Sequence, residues 1–353
     1  MVAAAADLFV RKGYAQVGMS DIAAAVSIGP SALYRHFRGK RELLYEVVLD
    51  SFAAVRAALP DGYPALAAAV LEHRGLGVLW QRESRHLEPP ARAALRAEVV
   101  DMQRSVVARL RPASDLLGWA VLGAIMSVSF QRIRLPAPEY AALLASIADD
   151  IAATVLPPLH ARPPAAPAPA ALPTRDALLA AAVRLFASRG YHGTGIEEIG
   201  AAAGIAGPSV YHHFDSKLDI LLAAMNHGAG ELHAAVAATV TTVPAPGAAL
   251  RALLGSYVDY SFANGDTVDV LITEIDHLPD AQRTPLYREQ RAYVAQWQRL
   301  MLALHPGMPP GHARVRVQAA LTVTNDVART PHLRILAGIE DAVCAIGASI
   351  LRI

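Results

Sequence analysis

Residues 186–221 read FASRGYHGTGIEEIGAAAGIAGPSVYHHFDSKLDIL, and residues 9–44 read FVRKGYAQVGMSDIAAAVSIGPSALYRHFRGKRELL. Laid at an offset of 177, Phe9, Gly13, Tyr14, Gly18, Ile22, Ile28, Tyr34, His36, Phe37, Lys40 and Leu44 fall on Phe186, Gly190, Tyr191, Gly195, Ile199, Ile205, Tyr211, His213, Phe214, Lys217 and Leu221 without a gap. A register held over so long a stretch marks a repeated structural unit. A weaker echo continues at an offset of 191, where Glu83, His86, Leu87, Arg92 and Glu98 meet Glu274, His277, Leu278, Arg283 and Glu289. The whole unit is therefore doubled. The extra residues of the second copy are expected near 241–248, where Pro244 and Pro246 suggest a loop.

Within the second copy, Leu178, Leu179, Ala182, Val183 and Phe186 stand at helical spacing, which predicts a first helix over 176–189 closed by Gly190. Thr194-Gly195-Ile196-Glu197 predicts a capping box that opens a second helix running to about Ala203. Gly204 supplies a left-handed turn, and a third helix is expected from Pro208 through Phe214. On it Val210 and Phe214 face inward, and Ser209 and His212 face out. Helix, tight turn and helix make a helix-turn-helix, whose second helix suits a DNA major groove. The first copy repeats the motif over 20–37, with Pro30 opening the third helix and Ser31, Tyr34 and Arg35 on its outer face. Lys40 and Lys217 open the next helix, where an ammonium, together with the tyrosine hydroxyl, is expected to reach flanking phosphates.

Composition agrees with such a plan. A length of 353 residues suits two domains or more, and 54% apolar residues with only 6% aromatics predict an all-α fold rather than strands. A formal charge of +1 excludes DNA binding by bulk attraction, so any contact must come from a few placed cations. The single Cys344 excludes an internal disulfide and a multi-thiolate zinc site, fits a cytoplasmic setting, and reads as a small core side chain. The uncharged runs 116–131 and 232–250 fall short of the roughly 20 apolar residues a spanning helix needs, so no membrane is expected. No cationic segment with a cleavage site opens the chain, which argues against export. No P-loop, dinucleotide fingerprint, nucleophile elbow or H-E-x-x-H helix is present, so neither an enzyme nor a cofactor is expected. Adjacent on one helix, His212 and His213 diverge, and no metal site is expected.

These readings divide the chain into a head at 1–50, a helical sensor domain at 51–160, a linker at 161–173, a second head at 174–225 and a second sensor domain at 226–353. The linker, ARPPAAPAPAALP, favours an extended form that spans up to roughly 40 Å at about 3.1 Å per residue. Sensor one is expected as a bundle of helices over 41–59, 64–87, 90–111, 113–133 and 138–156. Bundles place apolar ligand pockets between helices. Trp80 as a wall and Glu83 and His86 as polar groups would suit one; a helix-end ion pair of Glu83 with Arg82, Arg85 or His86 beside a core Trp is the rival reading. Glu274, with no Lys or Arg close by in sequence, is the better candidate for a pocket carboxylate.

The string F-x3-G-Y, an I-A or I-G second helix, a turn, and Y-x-H-F-x2-K-x3-L resembles the N-terminal domain of the TetR/AcrR family, and it occurs twice. The resemblance implies two tandem units, each a DNA-binding head followed by a helical domain that binds a small molecule and dimerises, with ligand lowering operator affinity. It assigns operator contact to Pro30, Ser31, Tyr34, Arg35 and Lys40, and to Thr194, Ser209, Tyr211, His212 and Lys217. In layout the chain is similar to tandem actinobacterial members, including those that control lipid uptake. The expectation is a ligand-responsive repressor whose copies pair within one chain on an asymmetric double-stranded operator, released by an apolar or lipid-like effector. Self-association into a homodimer is the alternative pairing, and a ligand- or protein-binding module with decayed heads is the alternative function.

The copies also depart from the pattern. Met1 aligns with Leu178, so the first turn of helix one is absent from copy one, which predicts a reading frame beginning upstream. Val17 stands where Thr194 is expected to cap, and Ser27 stands where Gly204 turns. Residues 1–50 carry six cations against five acids, whereas 174–222 carry four against five. Head one is thus poorer in structure and richer in phosphate-binding charge.

Overall fold

A computed structural model describes residues 1–131, 133–161, 174–275 and 278–353. The chain divides into two compact units, one of Met1–Thr154 and Gln318–Val323, the other of Val155–Val317 and Thr324–Ile353. The expected linker, apart from Ala161, lies outside the described residues, as does His277.

The first copy runs α1 (Val2–Lys12), α2 (Met19–Ala25), α3 (Pro30–Tyr34), α4 (Lys40–Ala58), α5 (Tyr63–Glu72), α6 (Leu76–Gln81), α7 (Pro89–Val107), α8 (Asp115–Met126) and α9 (Ala137–Ala152). The second runs α10 (Thr174–Arg189), α11 (Ile196–Ala202), α12 (Gly207–Val210), α13 (Lys217–Thr242), α14 (Pro246–Ala263), α15 (Gly265–Thr273), α16 (Asp280–Leu304), α17 (Pro310–Arg329), α18 (Pro331–Arg334) and α19 (Ile339–Leu351). The only strands among the described residues are His160–Ala161 and Leu336–Ala337, a two-residue antiparallel pair within the second unit, so the fold is all-α.

Apolar residues at helical spacing explain how the elements pack. In head one Leu8, Phe9, Ile22 and Leu33 turn inward and are buried. In head two the core of Leu178, Phe186, Ile199, Val210 and Phe214 continues without a break into Val270 and Ile275 of the sensor domain. Each head is thus packed onto its sensor and is no freely hinged bead. In sensor one α8 is the central helix, with its side chains from Leu116 to Ile125 buried on nearly every face.

Two expectations about the helices are corrected. The single helix expected over 64–87 is α5, a break at His73, α6 and a 3-10 turn at Glu83–His86. The break serves a close approach: a Cβ on Gly75 would lie 2.5 Å from Val10 of α1, so only glycine lets the head helix reach α6. The loop expected around Pro244 is present at 243–245, but it is short and does not hold the extra residues of copy two. They lengthen helices, α13 having 26 residues against 19 in α4, and α14 having 18 against 10 in α5.

Candidate nucleic-acid interface

Head one presents α3 to solvent. Leu33 anchors it in the core, while Pro30, Ser31, Tyr34, Arg35 and His36 are exposed. Arg35 makes no hydrogen bond or ion pair among the described residues, and the same holds for the Arg38 side chain just beyond the helix, so both guanidinium groups are available to a ligand. By contrast Arg11 pairs with Asp7 and Arg41 with Glu88. Arg38 was missed by the sequence reading; its alignment with Asp215 was the signal that could have found it.

In head two α12 opens at Gly207, one residue before Pro208, and is one turn long. Val210 and Phe214 are buried as their spacing predicts. Tyr211, His212 and His213 are exposed, but Ser209 is half-buried and stands where head one has Ala32, not Ser31. A groove of about 570 Å³ lies beside this helix, lined by Gly195, Ile196, Glu197, Pro208, Tyr211 and Lys217. Arg189 is paired with Glu198 at 2.7 Å, and Arg175 lies over the Phe214 ring at 4.9 Å.

Thr194 is corrected. It does not cap α11 and does not face the groove: its side chain is buried and its hydroxyl donates to the Gly190 carbonyl at 2.9 Å. The cap is Gly195, whose N–H donates to Glu198 at 2.8 Å, as Gly18 donates to Asp21 at 2.7 Å in head one. That hydrogen bond, with Arg189 alongside, holds the Glu198 carboxyl below the usual carboxylate range. Because the capping residue is glycine in both copies, Val17 costs head one nothing there; like Thr194 it is simply buried. Lys40 and Lys217 are corrected in role as well. Lys40 Nζ donates to the Tyr14 carbonyl at 2.9 Å, and Lys217 Nζ to the Tyr191 and Thr194 carbonyls, each at 2.8 Å. Each ammonium also sits over its tyrosine ring, at 4.1 and 4.3 Å, and partial burial lowers the pKa of both. These lysines are pins inside the head before they are phosphate contacts.

The four residues assigned to effector binding fall elsewhere. Trp80 packs edge-on against the buried Phe52, with ring centroids 5.7 Å apart. Glu83 is buried, bonded to Arg82 Nε, and accepts the Tyr14 N–H at 2.8 Å, while His86 stacks on the Tyr14 ring at 4.8 Å. Glu274, fully buried, accepts the Tyr191 N–H at 3.1 Å and the Thr273 hydroxyl at 3.1 Å. The two carboxylates therefore join sensor to head.

A different cluster is buried in the second sensor domain. Tyr257 donates to Asn325 Oδ1 at 2.9 Å, and Tyr257, Tyr293 and Trp297 pack ring against ring at centroid distances of 6.1 to 6.2 Å. Burial pushes the Tyr257 hydroxyl up to about 12, and it raises Tyr260 too, so both stay protonated donors. The Tyr260 hydroxyl is buried with no hydrogen-bond partner among the described residues, while Trp297 lies beside the Tyr293 hydroxyl, which it can hydrogen-bond. In sensor one the comparable polar chain is closed, Tyr140 donating to Gln131 at 3.1 Å and Gln131 to Ser127 at 3.0 Å. No helix among the described residues is long and apolar enough to cross a membrane.

Comparison with known proteins puts this geometry in a family. A profile described as bacterial regulatory proteins, tetR family, matches residues 1–47 and again 178–224, the two helix-turn-helix heads. The HTH-type transcriptional activator FasR of Mycolicibacterium smegmatis is 36% identical over 86 residues, which are 24% of this chain and 39% of that protein, so the match spans less than half of FasR. A crystal structure of a TetR-family transcriptional regulator from Bordetella parapertussis is 25% identical, covering 44% of this chain and 82% of that one with a TM-score of 0.43. The HTH-type transcriptional repressor KstR2 of Rhodococcus jostii is 30% identical over 157 residues, 44% of this chain and 76% of that protein, a reach well beyond the head. With two matched heads and a relative aligned over most of its own length, the chain belongs to the tetR family of bacterial regulatory proteins.

Proposed function

We propose that the chain is a cytoplasmic, ligand-responsive transcription repressor that binds double-stranded operator DNA through α3 of head one. The observation that carries this reading is the exposed Arg35, without a partner among the described residues, beside Tyr34 on the outer face of a helix-turn-helix. A guanidinium so placed can pair bidentately with guanine, and Arg38 adds a backbone contact. The names of the relatives leave the sign of regulation open between FasR, an activator, and KstR2, a repressor; repression is the simpler outcome of an operator occupied without effector. Because the two recognition helices carry unlike side chains, one chain acting as a pseudo-dimer reads an asymmetric site, and the covalent connection favours internal pairing over a homodimer at ordinary concentrations.

The effector belongs in the second sensor domain. A buried donor left unpaired among the described residues in an aromatic setting, the Tyr260 hydroxyl, suits an apolar ligand that brings a hydrogen-bond acceptor. Mobility shift against genomic fragments over a salt series tests the reading: a specific complex that weakens steeply with salt is expected. Absence of any specific complex at low salt would leave a ligand- or protein-binding module with decayed heads, a reading favoured for head two by the exposed Glu197 at the start of α11.

A further inference from the structure

In each copy one tyrosine residue is held through both of its main-chain groups, the N–H and the carbonyl. Helix one stops at a glycine with positive φ, 80° at Gly13 and 77° at Gly190. That turn swings the next N–H, of Tyr14 or Tyr191, out of the helical ladder, so a buried donor needs an acceptor from elsewhere. The acceptor is Glu83 or Glu274, just past the end of α6 or α15 in the sensor domain. The carbonyl of the same tyrosine is taken by the lysine that opens α4 or α13. The clamp therefore ties three elements together: the end of helix one, the sensor segment, and the first turn of the helix leading from head to sensor.

The same contact forms in the two copies across different lengths of chain. Tyr14 and Glu83 are 69 residues apart, Tyr191 and Glu274 are 83 apart, and both carboxylates stay buried on the tyrosine N–H. Two copies that have lost most of their sequence likeness, and one of which has lengthened its helices in between, keep the bond. A group buried only to fill space would not need to be a carboxylate, since an ionised side chain is costly to bury unless its bonds are made.

We infer that Glu83 and Glu274 are positioning residues that couple each sensor domain to its own head. A displacement of α6 or α15 moves the Tyr14 or Tyr191 peptide, and through it the turn that seats α2 and α3, or α11 and α12. Its consequence for operator affinity rests on the function proposed above; the coupling itself does not.

Amide hydrogen exchange on the full chain, followed by mass spectrometry, tests it without DNA. Glu274→Ala should speed exchange across residues 190–199 by about ten-fold while α14 and α16 are unchanged. Glu274→Gln keeps a carbonyl acceptor and should stay within about two-fold of the parent. Thr273→Val removes a hydroxyl shared between the Asp269 carbonyl at 2.9 Å and Glu274 at 3.1 Å; the part of its effect on the head segment that passes through Glu274, about two-fold, should vanish in the Glu274→Ala background. Glu83→Ala provides the same measurement in copy one should the other fail to fold. Unchanged head exchange in the alanine variants overturns the inference. So does an equal rise in α14 and α16, or a Thr273→Val effect on residues 190–199 that is undiminished without Glu274. If the parent binds no DNA at all, the proposed function fails while the exchange data still judge the coupling.

Discussion

The two heads share a backbone plan and differ in charge where a helix-turn-helix meets DNA. Ser20 in the first turn of α2 becomes Glu197, Arg35 becomes His212, and Arg38 becomes Asp215. All six residues are exposed, and each replacement makes head two more negative. The cations that head two retains are largely occupied: Arg189 by Glu198, Arg175 by the Phe214 ring, Lys217 by two backbone carbonyls. The buried anchors did not drift in the same way, Leu33 and Val210 both being buried beneath the recognition helix. Packing was kept in both copies, while the surface that would grip a phosphate was kept in only one.

The sharpest way to break this comparison is Arg35→Ala. Loss of a bidentate guanine contact is expected to cost about 1–3 kcal/mol, roughly five- to 150-fold in affinity for the specific site, with a much smaller loss on random DNA. Titration of both DNAs in mobility shift checks it. An equal loss on the two would reduce Arg35 to a backbone contact and remove the claim that head one carries sequence readout.

A smaller effect is expected from giving head two the surface of head one. The triple variant Glu197→Ser, His212→Arg, Asp215→Arg restores the charges at three exposed positions without touching the core. Affinity for DNA should rise by about ten-fold, and the dependence of log K on log salt should steepen by about 0.9 for each phosphate newly contacted. A flat response, with the parent binding normally through head one, would mean that head two faces something other than DNA.

Much of this was legible in the sequence because it depends on local chemistry. The 177-residue repeat, the helix-turn-helix and the inward faces of Val210 and Phe214 follow from glycines and spacing alone. What was not legible depended on contacts across the fold. On paper Thr194 and Glu197 form a full capping box, whereas Gly195, without a side chain, offers only the half in which Glu198 accepts its N–H; that half is used, with Arg189 beside Glu198 and the Thr194 hydroxyl turned back to Gly190. The break before α6 comes from the approach of Val10 to Gly75. The repetition of Glu83 as Glu274 was visible, and the ion pair of Glu83 with Arg82 was one of the readings it offered; the shared bond to a tyrosine N–H was not legible, since that N–H lies 69 or 83 residues away.

The smallest expected effect is the most local, and it compares the two turns between the helices of the motif. Ser27 is held at φ 55°, in the left-handed region, where head two has Gly204 at φ 77°. A side chain there brings its Cβ close to the following carbonyl at about 1–2 kcal/mol, while glycine adopts the same region freely but loses more backbone entropy on folding. The two terms oppose each other, and the steric one is the larger, so Ser27→Gly should stabilise the first unit by about 0.5–1 kcal/mol. The reverse change, Gly204→Ser, is equally clean, because a Cβ built at Gly204 meets nothing within 4 Å and backbone strain is the whole cost. It should destabilise the second unit by a similar amount, about 1–4 °C in Tm for a unit of this size. Thermal unfolding of the two variants measures both. A rise with Ser27→Gly and a fall with Gly204→Ser would place the structural weakness of head one in a single turn residue. A fall in both would show that the serine hydroxyl offsets its strained backbone, and the structural weakness of head one would then lie elsewhere than in that turn.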